Sequence, residues 1–293
     1  MNLSDKLKKK PSPFRTLTGL SVLEFEKLLA ELEPVLHERK QRQQKRRPRQ
    51  RKPGGGRTHT LSVAERLLLL LIYYRTYLTP DFLSILFRID KGTVSRNIQE
   101  IALALTGIFR IPEHNVELSE DEVREAFIAA TEQPINRPKK KQKGSYSGKK
   151  KRHTIKHQVV VIRKAKQAAE GQEKPKQTVR IACVSKSAKG SVQDKNVSDR
   201  SRLLIPQGVP KAGDSGYQGT TTEVPYKKPK KGELTAEQKA SNRELSQRRI
   251  VVEHGIGKMK VWRIAAERYR NPRRRHTLMF KSIAGLHNRM FTE

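Results

Sequence analysis

Residues 248–260 read RRIVVEHGIGKMK, and the spacing of three charges in this stretch decides how the chain is read. A helix turns about 100° per residue, so Arg249, Glu253 and Lys260 fall at about 0°, 40° and 20° on its wheel. One narrow face therefore carries a base, an acid and a base. Val252, Ile256 and Met259 line the neighbouring face, which would seat the helix on a sheet. The competing reading is an intrahelical ion pair of Arg249 with Glu253 at i,i+4 spacing, decorating a surface. Upstream, residues 208–217 (GVPKAGDSGY) place Asp214 after a short apolar strand and between glycines. Its carboxylate thus lies at a strand's C-terminal edge, where α/β sheets bind ligands. Taken together, Asp214 and Glu253 make a carboxylate pair able to hold a divalent cation, with Arg249 and Lys260 beside it to grip phosphates. Oxygen ligands suit magnesium or manganese rather than zinc.

Working outward, the chain from about residue 126 is strand-like. AFIAAT (126–131), RHTIKHQVVVI (152–162) and TVRIACVSK (178–186) read as three strands, and a fourth ends near Gly213. SVQDKNVSDRSRLL (191–204) suits a helix between the third and fourth strands. Helices from Thr235 to Trp262 and from His276 onward close the chain. The expectation is a mixed α/β domain over 126–293, one sheet covered by helices. His153 and His157 read as core or DNA-facing residues of the second strand, and Trp262 as core packing.

The N-terminal part reads as all-α. Val22, Phe25, Leu29, Leu32 and Leu36 recur at helical spacing, with Thr18 or Ser21 as cap, giving a helical segment over 1–38. Residues 39–57 contain ten Lys or Arg and no acid, with two prolines and three consecutive glycines, and read as a flexible basic arm that includes Arg46, Arg47 and Arg49. Over 58–112, Ser62 and Glu65 have capping-box spacing ahead of Leu67 to Tyr77. Thr79 and Pro80 open a second helix. Asp90, Lys91 and Gly92 form a turn before a third helix from Thr93. Short helix, tight turn, helix is the helix-turn-helix arrangement, with an ordinary helical hairpin as its rival. In that arrangement Arg96 and Asn97 would read base edges, and Lys91, Thr93 and Ser95 would contact phosphates. An acidic stretch over 113–125 reads as a solvated helical connector without a chemical role.

Charge agrees with such a partner. The 293 residues carry 63 Lys or Arg against 29 Asp or Glu, a net charge of +34, and a polyanion is the simplest way to neutralise that excess. Nine Lys or Arg lie between Arg137 and Arg152, in a loop after the first strand. Lys149, Lys150, Lys151 and Arg152 of that loop, with Lys227 and Lys228, are expected to hold DNA phosphates. One cysteine, Cys183, excludes a disulfide framework or a cysteine-based zinc finger. The longest aliphatic run, Leu67 to Ile72, is far short of the roughly 20 residues of a membrane span. No amphipathic membrane-surface helix stands out, and the N-terminus has no secretory pattern. An intracellular protein is expected.

The residues also carry a resemblance. Arg249, Glu253 and Lys260 look like the C-terminal signature of insertion-sequence transposases with a DDE active site, although the Tyr usual three residues before the Arg is Ser246 here. The segments TEQPINRP, YSGKKKRHTIKHQVVV, GSVQDKNV, GDSGYQG, VPYKKPKKGELT, RRIVVEHGIGKMK and GLHNR resemble the insertion-sequence-five group and its PIF/Harbinger relatives over residues 58–290. The resemblance implies an RNase H-like α/β catalytic domain in which two aspartates and a glutamate bind two magnesium or manganese ions. It further implies terminal inverted repeats and target DNA as partners, the cytoplasm or nucleoid of a bacterium-like host as location, and strand cutting and joining as reaction. A homodimer follows from the need to hold two ends. Asp214 matches the second aspartate and Glu253 the glutamate. Ala129 stands where the first aspartate belongs, and Glu132 is a poor substitute because 129 and 132 have opposite strand parity. Asp194, in a motif where Gln193 replaces the family's His, reads as a structural acid near the site rather than a ligand. The resemblance thus implies a transposase impaired at Ala129. The rival readings are a non-catalytic DNA-binding protein derived from a transposase and, from charge alone, a basic RNA-binding protein.

Overall fold

The computed structural model describes residues 2–45, 59–116, 123–164 and 179–290. The chain divides into two compact units, one of residues 1–110 with 262–264 and one of 111–261 with 265–293. Among the described residues no helix is long and apolar enough to cross a membrane.

The first unit is helical: α1 (Leu3–Lys8), α2 (Pro11–Thr18), α3 (Val22–Lys45), α4 (Val63–Thr76), α5 (Pro80–Phe87) and α6 (Lys91–Phe109). Ser21, not Thr18, caps α3: its Oγ accepts from Glu24 N at 3.2 Å while the Glu24 carboxylate accepts from Ser21 N at 2.6 Å. Thr18 Oγ1 instead donates back to Phe14 O. Helix α3 runs to Lys45, well past the expected short helix and into the stretch read as a flexible arm. Ser62 and Glu65 form the expected capping box of α4. Leu67 through Leu71 are all buried, so α4 is the central helix of this unit. Helix α6 begins two residues earlier than expected, because the Asp90 carboxylate caps it by accepting from Thr93 N at 2.8 Å; Lys91 and Gly92 therefore belong to the helix and not to the turn. Trp262 completes this core. A Cβ on Gly19 would come within 2.9 Å of its ring, and the Arg75 guanidinium lies 5.8 Å from the ring centroid.

The second unit is a mixed sheet with helices. Its strands are β1 (Val123–Pro134), β2 (Tyr146–Ser147), β3 (Arg152–Lys164), β4 (Val179–Val184), β5 (Ala188–Lys189) and β6 (Lys211–Gly213), with helices α7 (Asp194–Ser201), α8 (Ala236–Lys260), α9 (Arg263–Ala266), whose first two residues are counted with the first unit, and α10 (His276–Met290). Strand β3 pairs antiparallel with β1 on one side and with β4 on the other, and β6 pairs parallel with the far edge of β1. Both faces of the sheet are occupied. Lys156 of β3 reaches Asp194 of α7. The next residue, His157, lies on the other face against His276 of α10, and Val161 of that face meets Gly255 of α8. Two expectations are corrected. Strand β1 starts at Val123 rather than 126, so Glu125 is a strand residue; it is buried and paired with Arg248 at 2.5 Å and Arg163 at 3.6 Å. For Glu125, buried pairing with two guanidiniums replaces the solvated position read there; residues 117–122 of the acidic stretch lie outside the described residues.

Candidate active site

The site forms where β1 and β6 run parallel. Their last paired residues are Ile128 and Gly213, so the next residue on β1, Ala129, and the next after β6, Asp214, sit at neighbouring places on adjacent strands. Strand β6 stops because Asp214 caps a 3-10 turn over Ser215–Tyr217, its carboxylate accepting from Gly216 N at 2.9 Å. Asp214 is thereby held at the carboxyl end of the strand. The Ala129 methyl beside it is nearly buried, at 7% exposure.

A second acid meets Asp214 there. A Cβ built on Gly216 would lie 2.9 Å from Asp194 Oδ2 and 2.9 Å from Asp214 Oδ1, so the two carboxylates flank this glycine. Asp194 is the first residue of α7. Its other oxygen accepts from Lys156 Nζ at 2.7 Å, and the same ammonium bonds Val192 O at 2.8 Å and Glu132 at 3.3 Å. Glu132 also accepts from Thr154 Oγ1 at 2.7 Å. Burial pushes the Glu132 carboxyl up, but hydrogen bonds from Thr154 and Ser147 and the Lys156 charge outweigh it and hold its pKa below the usual value. Glu132, Lys156 and Asp194 border a cavity of about 450 Å³ whose rim includes Lys149, Lys195 and Lys227.

Two donors beside these acids lack partners. Tyr217 is fully buried and its hydroxyl makes no hydrogen bond, and Arg249 has a buried Nε without one. Burial, then Asp194 and Asp214, push the Tyr217 hydroxyl well above its usual pKa, while Arg249 pulls it down. Lys260 is held below the usual lysine value by burial and then by Lys150, against the opposing pull of Glu132.

Of the residues singled out from sequence, Ala129 and Asp214 fall at neighbouring strand positions, Asp214 and Arg249 both act electrostatically on the Tyr217 hydroxyl, Lys149 and Lys227 line the cavity rim, and Lys260 lies within electrostatic reach of Lys150. Glu253 is exposed on α8, as are Lys150, Lys151 and Lys228 on their loops and Arg152 at the start of β3. Arg46, Arg47 and Arg49 lie outside the described residues. Among the described residues no group of three or more His, Cys, Asp or Glu side chains converges where a metal ion could bind. With alanine at 129, the residues present do not fit the two-ion carboxylate triad that the resemblance implies. His157 is a core residue: it bonds Ser185 O and His276, and burial pushes its pKa down to about 4. Sequence reading missed Lys156 and set Glu132 aside because alternation puts it on the face opposite to Ala129; the strand register keeps both side chains on that opposite face. What joins them is the register Glu132↔Lys156, and no local pattern displays that register.

In the first unit, Lys91 and Arg96 are exposed and Thr93 and Ser95 half-buried. Arg96 bonds Thr93 Oγ1 at 2.8 Å. Asn97 is a correction. It is 5% exposed, its amide donates to Thr93 O, and its oxygen accepts from buried Arg66 Nε at 2.6 Å. It spans α4 and α6 and does not face outward to read a base.

A family model described as DDE superfamily endonuclease matches residues 128–288, and one described as the helix-turn-helix of DDE superfamily endonuclease matches residues 59–105. A probable transposase for insertion sequence element IS702, from Microchaete diplosiphon, is 33% identical over 247 residues, which cover 81% of this chain and 84% of that protein. No solved structure matches. The strand-end aspartate, the helical unit that precedes it and these similarities agree: the chain belongs to the DDE superfamily endonucleases and is an enzyme by family.

Proposed function

We propose that this protein is a transposase of the insertion-sequence-five and PIF/Harbinger type that binds the terminal repeats of its element as a homodimer, and that Ala129 impairs cutting and joining in this copy. The observation that carries the reading is the parallel register of β1 and β6, which puts residue 129 next to Asp214, the place where the resemblance calls for a carboxylate. The strand order β4-β3-β1-β6, with β6 the parallel strand, supports an RNase H-like fold. The exposed cations of the β2–β3 loop, with Lys227 and Lys228, supply a path for DNA backbone, and Arg249 and Lys260 stand ready to neutralise phosphates. Arg96, Lys91, Thr93 and Ser95 present the start of α6 to duplex DNA. In an active form Asp214 and Glu253 would join an aspartate at 129 in holding magnesium or manganese. No step through those ions is derived for this chain, because it lacks that carboxylate. The host compartment is the nucleoid or cytoplasm of a bacterium-like cell.

The test is restoration. Duplexes of the element's own termini are incubated with the chain and with Ala129→Asp, with magnesium or manganese. The expected result is cleavage by the restored form alone, and robust cleavage by the unaltered chain would sink the impairment. The second reading, a DNA-binding protein that has left catalysis, rests on Ala129 itself and gains if Ala129→Asp binds terminal repeats yet never cuts. Equal binding to random duplex or RNA would refute the transposase reading.

A further inference from the structure

A second basic groove lies at the end of α7 remote from Asp194. It has a volume of about 650 Å³ and is lined by residues 185–189, which follow β4 and include β5, and by the last turn of α7 with Arg202 after it. Four cations, Lys186, Lys189, Arg200 and Arg202, meet one carboxylate there, Glu113. Glu113 is already shared between Lys186 at 3.7 Å and Lys281 at 3.6 Å, and among the described residues Lys189, Arg200 and Arg202 form no ion pair. Asp199, next to Arg200 in sequence, lines a different cleft, which includes Arg202 and Lys211. All four cations of the groove are exposed. Like charges gathered this way repel one another until a polyanion neutralises them. The exposure also selects the ligand. A small anion is held by a few convergent donors in a pocket that buries it, whereas exposed, hydrated ammonium and guanidinium groups bind a phosphate backbone by displacing its counterions, without reading sequence.

Position points to duplex DNA. Gly190 to Lys195 line the cavity beside Asp194, so the groove and that cavity adjoin where β5 ends. Along α7, Arg200 stands six residues beyond Asp194, about 9 Å of helix axis. Base pairs follow one another at about 3.4 Å, so that length corresponds to roughly three of them. We propose that Lys186, Lys189, Arg200 and Arg202 form a second DNA-backbone contact of this unit, gripping phosphates about three base pairs from the nucleotide held at the Asp194 cavity. The proposal rests on the transposase reading and extends the footprint of the same substrate. Local sequence conceals the surface. Arg200 and Arg202 belong to a mixed-charge run, DKNVSDRSR, and only the fold brings Lys186 and Lys189 into one groove with them.

The test is binding by the full chain, without metal, to duplexes of terminal-repeat and of random sequence, titrated between about 0.05 and 0.2 M salt. Arg200→Gln with Arg202→Gln is expected to reduce the slope of log affinity against log salt by about two and the affinity by about tenfold. Both duplexes are expected to lose alike, so that preference for the terminal repeat is unchanged. Lys9→Gln with Lys10→Gln removes the same charge at exposed positions of the first unit and is expected to keep the slope. If the arginine variant melts early, Lys186→Gln with Lys189→Gln, on the other segment of the groove, decides by the same measurement. An unchanged slope in a folded groove variant, an equal fall in the Lys9 and Lys10 variant, or an RNA duplex bound as tightly and weakened as much would each overturn the proposal. The two readings fail separately. Equal binding of random and terminal-repeat duplex by the unaltered chain removes the transposase reading, whereas an unchanged slope with the preference intact removes only this groove.

Discussion

Replacing Lys156 with methionine removes the ammonium that joins Glu132, Asp194 and Val192 O, in a place where the lysine and glutamate side chains are each 7% exposed. Methionine fills most of the volume, so the loss is electrostatic. Breaking a buried pair by removing one partner costs about 3–5 kcal/mol. The lower end applies here, because Asp194 is 15% exposed and reaches water and Thr154 still serves Glu132. For a unit of this size about 3 kcal/mol lowers Tm by roughly 6–12 °C. The pH dependence is distinctive. In the unaltered chain the Glu132 pKa lies below its ordinary 4.5, so this group contributes stability above pH 4.5 that is lost as pH falls through its folded value. Without Lys156, burial is opposed only by the Thr154 and Ser147 hydrogen bonds, and the folded pKa rises. The variant is then penalised at neutral pH and relieved on acidification, and the gap between the two proteins narrows below about pH 5. Thermal unfolding followed by circular dichroism at pH 7 and pH 4.5 checks this, with Glu132→Gln added to Lys156→Met as the compensating variant. Equal Tm values at pH 7, or a difference that does not change with pH, would refute the reasoning.

Asn97→Ala is expected to destabilise the helical unit by about 1–3 kcal/mol, because buried Arg66 loses its Nε acceptor; chemical denaturation measures it, and an unaltered midpoint contradicts the inward role. Arg96→Ala, at an exposed side chain, is expected to leave stability within about 0.5 kcal/mol while weakening duplex binding and flattening its salt dependence. Titrations at several salt concentrations read this, and unchanged affinity at every concentration would remove Arg96 from the DNA surface.

How much was legible follows from the range of each signal. Caps and helical periodicity are local, so the Ser62–Glu65 box and the Thr79 cap were readable from a few neighbouring residues, and strand-like runs of branched residues located the cores of β1, β3 and β4. Errors arose where a distant partner intervenes. Glu125 looked solvated because its neighbours are acidic, but Arg248 lies far along the chain and draws it into the sheet. Asn97 looked like a base reader at the start of a helix, but Arg66 on α4 turns it inward. The α6 start was misplaced by two residues because Gly92 suggested a turn, whereas the Asp90 cap holds Gly92 in the helix.

The sequence by itself determined the order of elements and the basic surface, since each depends on residue identity and short-range spacing. Only the tertiary structure decided which acids meet. The pairing of β1 with β6 and the placing of α7 over the same face of the sheet bring Asp194 to Asp214 across Gly216, and the register of β1 with β3 puts Lys156 opposite Glu132. The physical reason is that a carboxylate's chemistry depends on charges within a few ångströms, and in this fold those charges come from segments far apart along the chain.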